Sequence, residues 1–256
     1  MRFPPAPFSW PHVGGQWPEY NIWSPQAKGL VAWWPTLGTQ NAAMLRDLVS
    51  GINITSTAPI VWKNDVSFGQ VLDRANSSET LGTGTISLSV PQITVACWVW
   101  KNANVGNDRY VHQNGSFILR DSAGGFQWVI WTDGDIRTLT VGTVPLGTWT
   151  HVAGTWDGTN QRAYVNGIEV GSQAPGGTFN QPSVISLGSS EQLDGLQSEI
   201  RVHNRALSDA DVWNLYAPST RWQLHQLPVH RYKGVTAAGG ISIPVVMHHL
   251  RQQGIA

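Results

Sequence analysis

Between residues 147 and 216 the chain alternates apolar and polar positions in short runs separated by turn residues. Residues 148–156 are rich in Thr, Val and Trp, with the period of two that is typical of a half-buried strand. Asp157-Gly158 and Asn166-Gly167 are tight-turn sequences, because Gly and Asn tolerate the positive φ angles of hairpins. The pattern therefore predicts two successive hairpins, whose later strands are residues 161–165 and 168–171.

The hydrophobic spacing changes to that of a helix after residue 207. Ser208 is a favoured N-cap, and Asp211 stands three residues further on, as in a capping box. Val212 and Leu215 fall on one helical face, and Pro218 ends the pattern. One helix after a long series of short strands predicts an all-β fold, in which two antiparallel sheets form a sandwich with a short C-terminal helix.

Composition divides the chain into three parts. Residues 1–25 are rich in proline and aromatic residues, which favours an extended arm that docks on a surface. Residues 26–217 carry the strand pattern without an internal linker, and we predict one sandwich domain there. Residues 218–256 are a basic tail without any acidic residue. If the arm and the tail serve assembly, the candidate contact residues are Trp10, Trp17, Trp23, Trp222, Arg231 and Lys233.

The charge balance argues against several classes of partner. Only 12% of the residues are charged, and 16 Lys and Arg equal 16 Asp and Glu. Without a global field, we expect neither nucleic acid nor a membrane as a partner. Prolines interrupt the N-terminal region where the apolar part of a signal peptide would lie, so no signal peptide is expected. The single cysteine, Cys97, lies in an apolar run and predicts a buried, unreactive thiol.

Several of these segments resemble, in the right order, the laminin-G-like branch of the concanavalin A-like lectin/glucanase superfamily. Residues 149–167 carry W-x-H-V-A-x-x-x-D-G-x-x-x-x-x-Y-V-N-G, and residues 195–211 carry G-L-x-x-E-I-R-V-H-N-R-A-L-S-D-A-D. Residues 29–35 and 92–100 are similar to earlier strands of that family. The resemblance covers roughly residues 26–217 and implies a jelly-roll sandwich that binds glycan or protein.

The opening block, the bare N-terminal arm and the basic tail together also resemble bacteriophage structural proteins. That resemblance implies a non-catalytic virion protein, either a capsid decoration or a fibre component, that leaves the host by lysis. We expect a homo-oligomer, with a trimer as the working hypothesis. It would contact other virion proteins and display a lectin-like domain toward host or environmental glycans. The alternatives are a free carbohydrate-binding module and a diverged glycoside hydrolase.

The hydrolase alternative requires two carboxylates at a catalytic separation. The glucanase branch of the superfamily carries E-x-D-x-x-E on one strand, and this chain lacks that motif. Glu191, Asp194 and Glu199 come nearest, at a different spacing. The sequence therefore predicts no catalytic residue and no required cofactor.

The resemblance also raises calcium as a candidate metal, since related sandwiches often hold this ion at one edge. Asp47 and Glu199 are the matching acids, and Ca²⁺ prefers several oxygen ligands. Where relatives often have a D-G-x-x-D-Y run, this chain has Asp73-Arg74-Ala75-Asn76. The alternative is structural, with both acids capping loops or pairing with Arg46 or Arg201.

Glycan binding would use exposed tryptophan beside polar side chains. The chain has 14 Trp, a very high number. Trp98 and Trp100 fall on one strand face, whereas Trp128 and Trp131 fall on opposite faces. The candidate ligand-binding residues are Trp100, Trp128, Trp131, Asp133 and Asp135. The competing interpretation places these tryptophans in the core or in an interface.

Overall fold

The computed structural model describes residues 19–36, 44–56, 60–74, 81–85, 90–104, 106–122, 125–182, 184–187 and 193–226. Most of the predicted arm and tail lies outside these ranges. Trp10, Trp17, Arg231 and Lys233 of the predicted assembly set lie outside them too. No helix within the described ranges is long and apolar enough to cross a membrane.

The described residues form antiparallel strands and one α-helix. The early strands are β1 (Glu19–Tyr20), β2 (Leu30–Trp34), β3 (Met44–Leu45), β4 (Ile54–Thr55), β5 (Val61–Asp65), β6 (Gly69–Asp73) and β7 (Leu81–Thr85). The central strands are β8 (Ile93–Lys101), β9 (Asn107–Gln113), β10 (Phe117–Ser122), β11 (Gly125–Thr132) and β12 (Asp135–Val141). The late elements are β13 (Thr150–Trp156), β14 (Gln161–Val165), β15 (Ile168–Gln173), β16 (Val184–Leu187), β17 (Gly195–His203), α1 (Asp209–Tyr216) and β18 (His225–Gln226).

Two large sheets build the sandwich. A six-stranded sheet has the order β12-β11-β10-β9-β16-β7. An eight-stranded sheet has the order β15-β14-β13-β8-β17-β6-β5, with β2 also paired to β17. All pairings between these strands are antiparallel. The predicted all-β sandwich with one short helix is therefore confirmed for the described residues.

The core lies between the two sheets, where alternate residues of each strand meet. Val95, Cys97 and Val99 point inward from β8, and Trp128 and Ile130 point inward from β11. Gly154 on β13 makes room for Trp128, because a Cβ at that position would lie 2.2 Å from the indole ring. Cys97 is a free thiol with no exposed surface, and burial raises its pKa to about 12. The predicted burial of this cysteine is confirmed.

The two predicted hairpins form as the turn sequences require. Asp157 accepts hydrogen bonds from the backbone N–H groups of Thr159 (2.9 Å) and Asn160 (2.6 Å). Asn166 and Gly167 both adopt positive φ, at 50° and 79°. These are the conformations that a two-residue hairpin turn needs.

The helix α1 begins and ends where the sequence predicts. Ser208 caps it, and Asp211 completes a reciprocal capping box. Val212 and Leu215 are buried against Ala96 and Tyr164, on the outer face of the eight-stranded sheet. The helix thereby covers apolar surface that the sandwich core does not use.

The rest of that outer face carries an aromatic layer. Phe68 packs against Trp98 and Trp149, with ring centroids 5.0 and 4.6 Å apart, and Trp222 lies 5.5 Å from Phe68. The guanidinium of Arg221 lies 4.9–5.4 Å from the centroids of Phe68, Trp98 and Trp222. Such distances allow cation–π attraction. Trp98, Trp149 and Trp222 are thus packed against one another's neighbours on the sheet surface, outside the core between the sheets.

Both described ends of the chain lie on this same outer face. The strands β1 and β18 pair with each other, so the two ends are neighbours. Gln26 accepts a hydrogen bond from Arg201 on β17 and donates to the carbonyls of Asn214 and Thr220. Leu224 is fully buried beside Trp33. Residues 20–27 and 217–225 are thus fastened to the sandwich.

Candidate functional site

The outer face of the six-stranded sheet carries a strip of polar and aromatic side chains along β11 and β12. Because Trp128 and Ile130 point into the core, the alternating residues of β11 point outward. The strand register places Trp131 opposite Ile136, and Gln127 opposite Thr140. We call the outward residues Gln127, Trp131, Ile136, Thr138 and Thr140 the hairpin strip.

Hydrogen bonds hold the polar part of the hairpin strip in place. Arg120 Nε donates to Gln127 Oε1 at 2.8 Å, and Gln127 Nε2 donates to Thr140 Oγ1 at 3.2 Å. Ile136 is 59% exposed, Thr138 and Thr140 are exposed, and Trp131 is partly exposed. Amide and hydroxyl groups on the same sheet face as an indole ring can offer an extended ligand both hydrogen bonds and a flat apolar surface.

The turn that joins β11 to β12 is braced by a neighbouring loop. Asp133 adopts a positive φ of 51°, and its Oδ1 accepts the backbone N–H of Thr178 at 3.0 Å. Asn180 accepts from the N–H of Gly134 at 3.3 Å and donates to the carbonyl of Gly115 at 3.1 Å. Asp135 is exposed and pairs with Arg137 at 3.2 Å. This bracing preorganises the end of the hairpin strip.

Three of the five predicted ligand residues lie on one hairpin, with Trp131 and Asp135 on opposite faces of its sheet. Trp131, Asp133 and Asp135 lie on the one β11–β12 hairpin. Trp100 lies instead on the outer face of the eight-stranded sheet, 6.2 Å from Trp149 between ring centroids. The prediction for Trp128 is wrong, because its side chain has no exposed surface and its Nε1 donates to the carbonyl of Thr155. A ligand on the surface cannot reach it.

An open cavity of about 350 Å³ lies beside the braced loop. Its wall is mostly apolar or glycine, and the residues that line it are Val90, Pro91, Trp156, Gly158, Gly177, Thr178, Phe179 and Gln181. We call it the end cavity. Gln181 accepts from the N–H of Val90 at 2.6 Å and donates to its carbonyl at 2.9 Å, which ties two walls together. Sequence reasoning did not find this cavity, since its lining comes from three segments that are distant in the chain.

The two acids assigned to calcium have structural partners. Asp47 accepts hydrogen bonds from the N–H groups of Trp33, Val49, Ser50 and Ile52. In the described ranges no group of three or more His, Cys, Asp and Glu residues could hold a metal ion. Asp47 therefore caps a loop, which is the structural alternative.

Glu199 is fully enclosed by donors as well. Its carboxylate accepts from Trp33 Nε1 at 3.0 Å and Arg201 at 2.7 Å, and it pairs with His225 Nε2 at 3.1 Å. Burial by itself would raise the pKa of Glu199, but the charges and hydrogen bonds of His225 and Arg201 lower it to about 2. With their oxygens engaged in this way, Asp47 and Glu199 do not fit a calcium site.

A buried ionic cluster connects the two sheets. Lys101 at the end of β8 pairs with Asp108 on β9 at 2.9 Å and also with Asp121 on β10. The three side chains are 1–5% exposed, so this lysine and its carboxylates have no path to a substrate. The sequence carried no signal for the cluster. Its members lie within 20 residues of one another, but Lys101 belongs to one sheet and the two aspartates to the other, so only the packing of the sheets brings them together.

The described residues of the predicted assembly set differ in exposure. Trp23 is 85% exposed and Ile22 beside it is 62% exposed. Trp222 is only partly exposed, because its ring belongs to the aromatic layer with Phe68 and His225. Of Trp23 and Trp222, only Trp23 therefore projects from the surface.

Two antiparallel sheets that enclose one apolar core define a β-sandwich. The sequence matches, over residues 73–213, the family described as the concanavalin A-like lectin/glucanases superfamily, in its laminin-G form. That match spans more than half of the 256 residues, and the chain belongs to this superfamily. A search of the curated proteins finds no match.

Solved structures of binding domains share the fold. The binding domain of Paraclostridial Mosquitocidal Protein 1 matches with a TM-score of 0.56 at 15% identity, covering 73% of this chain and 52% of that one. The botulinum neurotoxin serotype D ligand-binding domain, solved with N-acetylneuraminic acid, matches with a TM-score of 0.58 at 15% identity, covering 73% and 50%. This chain thus spans about half the length of these toxin domains.

A carbohydrate-bound domain of similar size also matches. Domain 4 of a GH43 extracellular arabinanase from Geobacillus stearothermophilus, in complex with arabinotriose, has a TM-score of 0.58 at 18% identity. The match covers 73% of this chain and 98% of that domain. At these identities the likeness shows the shared fold alone.

Proposed function

We propose that this protein is a non-catalytic glycan-binding domain that binds its ligand on the hairpin strip. The observation that carries the proposal is Trp131, a partly exposed indole on the same outward sheet face as Thr138, the fixed amide of Gln127 and Thr140. An apolar ring face beside a few oriented polar groups is the usual composition of a small-molecule site. Similar folds solved with arabinotriose and with N-acetylneuraminic acid support a sugar as the ligand.

The carboxylates near the hairpin strip support a binding role over hydrolysis. Asp133 is engaged with the backbone of the braced loop, and Asp135 with Arg137. A glycosidase needs one carboxylic acid and one carboxylate that face the scissile bond. Neither aspartate is held in that arrangement, so the diverged hydrolase has no specific observation in its favour.

We further propose that the domain belongs to a bacteriophage virion, as a capsid decoration or a fibre component, and that it is a homo-oligomer with a trimer as the working hypothesis. Both described chain ends lie on the outer face of the eight-stranded sheet, whereas the hairpin strip lies on the outer face of the six-stranded sheet. Arms that anchor one face would leave the other face directed toward glycans. Many weak sites on one particle would raise avidity.

A stacking variant tests the glycan proposal. We expect Trp131→Ala to weaken binding about tenfold or more, corresponding to about 1.4 kcal/mol, because it removes the ring that stacks on the sugar. The measurement is a glycan array with wild-type protein, followed by titration calorimetry with the strongest hit, and with arabinotriose and N-acetylneuraminic acid.

Trp213→Ala is the matched control, because Trp213 is also exposed, at 46%, but lies on α1 far from β11 in the fold. It should bind glycan like the wild type. Equal affinity of the Trp131→Ala protein, with an unchanged unfolding temperature, would remove the hairpin strip as the binding site. Separately, purification of the protein from phage particles would test the virion assignment.

A further inference from the structure

A rigid turn presents two large apolar side chains to solvent. Ile22 and Trp23 are 62% and 85% exposed, and they occupy the tip of the turn between β1 and the following 3-10 helix (Pro25–Ala27). Most large apolar side chains within the described ranges are buried. An exposed tryptophan beside an exposed isoleucine is typical of an interaction site, where tryptophan is enriched among the residues that dominate affinity.

The turn is held by its own polar groups. Asn21 accepts the N–H of Trp23 through Oδ1 at 3.1 Å and donates to the carbonyl of Gln223 at 2.9 Å. The backbone N–H of Asn21 donates to Leu224 at 2.8 Å, and Ser24 donates to Asn21 at 3.1 Å. These bonds tie the turn to the segment that precedes β18, so little backbone entropy is lost when Trp23 binds.

The chemistry of the turn favours an apolar protein pocket over a sugar. The side chain of Asn21 is already occupied by backbone groups, and Ser24 caps the 3-10 helix through Gln26. A sugar site needs polar groups that are directed at the ligand. Here Ile22 and Trp23 offer only apolar surface and one indole N–H.

The same chain carries a pocket that suits such a side chain. The end cavity has a volume of about 350 Å³, enough for an indole ring, and is lined mainly by Val90, Pro91, Phe179 and glycine. The Gln181 side chain uses its polar atoms on Val90 and Phe179. The wall thus presents apolar groups without leaving that amide unsatisfied.

We propose that Trp23 of one copy of this chain inserts into the end cavity of the next copy. The turn and the end cavity are different surfaces of the sandwich, so the contact is head-to-tail and closes into a ring or continues as a filament. This inference rests on the proposed homo-oligomer and names the contact that builds it. It does not involve the hairpin strip.

Two variants each remove one half of the contact. Trp23→Ala removes the inserted ring and keeps the backbone N–H that binds Asn21. Thr178→Trp fills the end cavity; the bonds that Thr178 makes to Asp133 come from its backbone and are retained. Light scattering of the full chain over a concentration series should show an oligomer for wild type. Each variant should raise the dissociation constant about thirtyfold or more, as for a tryptophan hot spot.

Mixing the two variants gives the sharpest test. The Trp23→Ala protein keeps an intact end cavity, and the Thr178→Trp protein keeps an intact Trp23. A head-to-tail contact therefore predicts that the equimolar mixture forms a one-to-one dimer and nothing larger. Trp213→Ala, the exposed control on α1, should assemble like wild type.

The outcomes separate the two proposals. A monomeric wild-type protein would overturn both the homo-oligomer and the Trp23 contact. An oligomer of unchanged mass in the Trp23→Ala protein would overturn this contact and leave the homo-oligomer standing. Failure of the two variants to associate in the mixture, with both folded by circular dichroism, would also overturn it. None of these outcomes decides the proposal that glycan binds at Trp131, which has its own test.

Discussion

At the scale of the residue, burial decides the chemistry of the histidines. His151 and His203 have almost no exposed surface, and desolvation lowers the pKa of each to about 3. His112 is buried on β9, and burial together with Arg109 lowers its pKa to about 4. All three are therefore neutral in the folded protein at physiological pH.

Because these histidines are buried in the neutral form, we expect the free energy of unfolding to decrease in mild acid. The unfolded chain takes up a proton below about pH 6.5, whereas the folded chain resists it until pH 3–4. Stability is therefore complete above pH 6.5 and falls as the pH decreases, by about 2 kcal/mol per histidine at pH 5. Urea unfolding at pH 7.5, 6 and 5 measures this slope.

The control for the pH dependence of stability is a double variant that lacks two of the three buried histidines. His151→Gln with His203→Gln should be less stable at pH 7.5 but should lose less stability between pH 7.5 and 5. An identical pH slope in the double variant would show that other groups control the acid sensitivity.

At the scale of the element, close approach of strands is set by glycine. Gly154 on β13 faces Trp128 on β11 across the core, and the indole ring occupies the space of a side chain. Gly195 plays a similar part at the start of β17, where a Cβ would lie 1.8 Å from the carbonyl oxygen of Trp100. The sequence does not distinguish either glycine from other strand residues, because the atoms that exclude a side chain belong to a different strand.

The Gly154→Ala variant tests this packing. The added methyl group would overlap the Trp128 ring and push the sheets apart, which costs about 1–3 kcal/mol for an overpacked core. Chemical denaturation gives the difference. Gly142→Ala is the matched control, because nothing lies within 4 Å of its Cβ position, and it should change stability little. Equal stability of the two variants would mean that β13 adjusts freely.

At the scale of the whole molecule, segments on both sides of the predicted sandwich domain pack against it. Tyr20 and Leu224 pack with Trp33, and His225 pairs with Glu199. The domain predicted from the sequence ends at residue 217, before these contacts. The folded unit therefore extends beyond residue 217 and includes Tyr20, Leu224 and His225.

Two fragments compare these boundaries. The fragment of residues 19–226 keeps the contacts of Tyr20, Leu224 and His225. The fragment of residues 26–217 loses these three side chains and leaves Glu199 without one of its partners. We therefore expect it to unfold about 10 °C below the longer fragment, for a loss of about 3 kcal/mol. Differential scanning calorimetry measures both. Equal temperatures for the two fragments would show that residues 19–25 and 218–226 contribute nothing to stability.

The local signals in the sequence determined the hairpins at Asp157 and Asn166, the helix capped by Ser208 and the sandwich class, because turn chemistry and residue periodicity act over a few positions. Periodicity also placed Trp128 and Trp131 on opposite faces. Only the tertiary structure decided which of the two faced the core, since that depends on the opposing sheet. It also assembled the end cavity and the enclosure of Glu199 from segments far apart in the chain, and it joined the Lys101 cluster across the two sheets, because packing between sheets has no local signature.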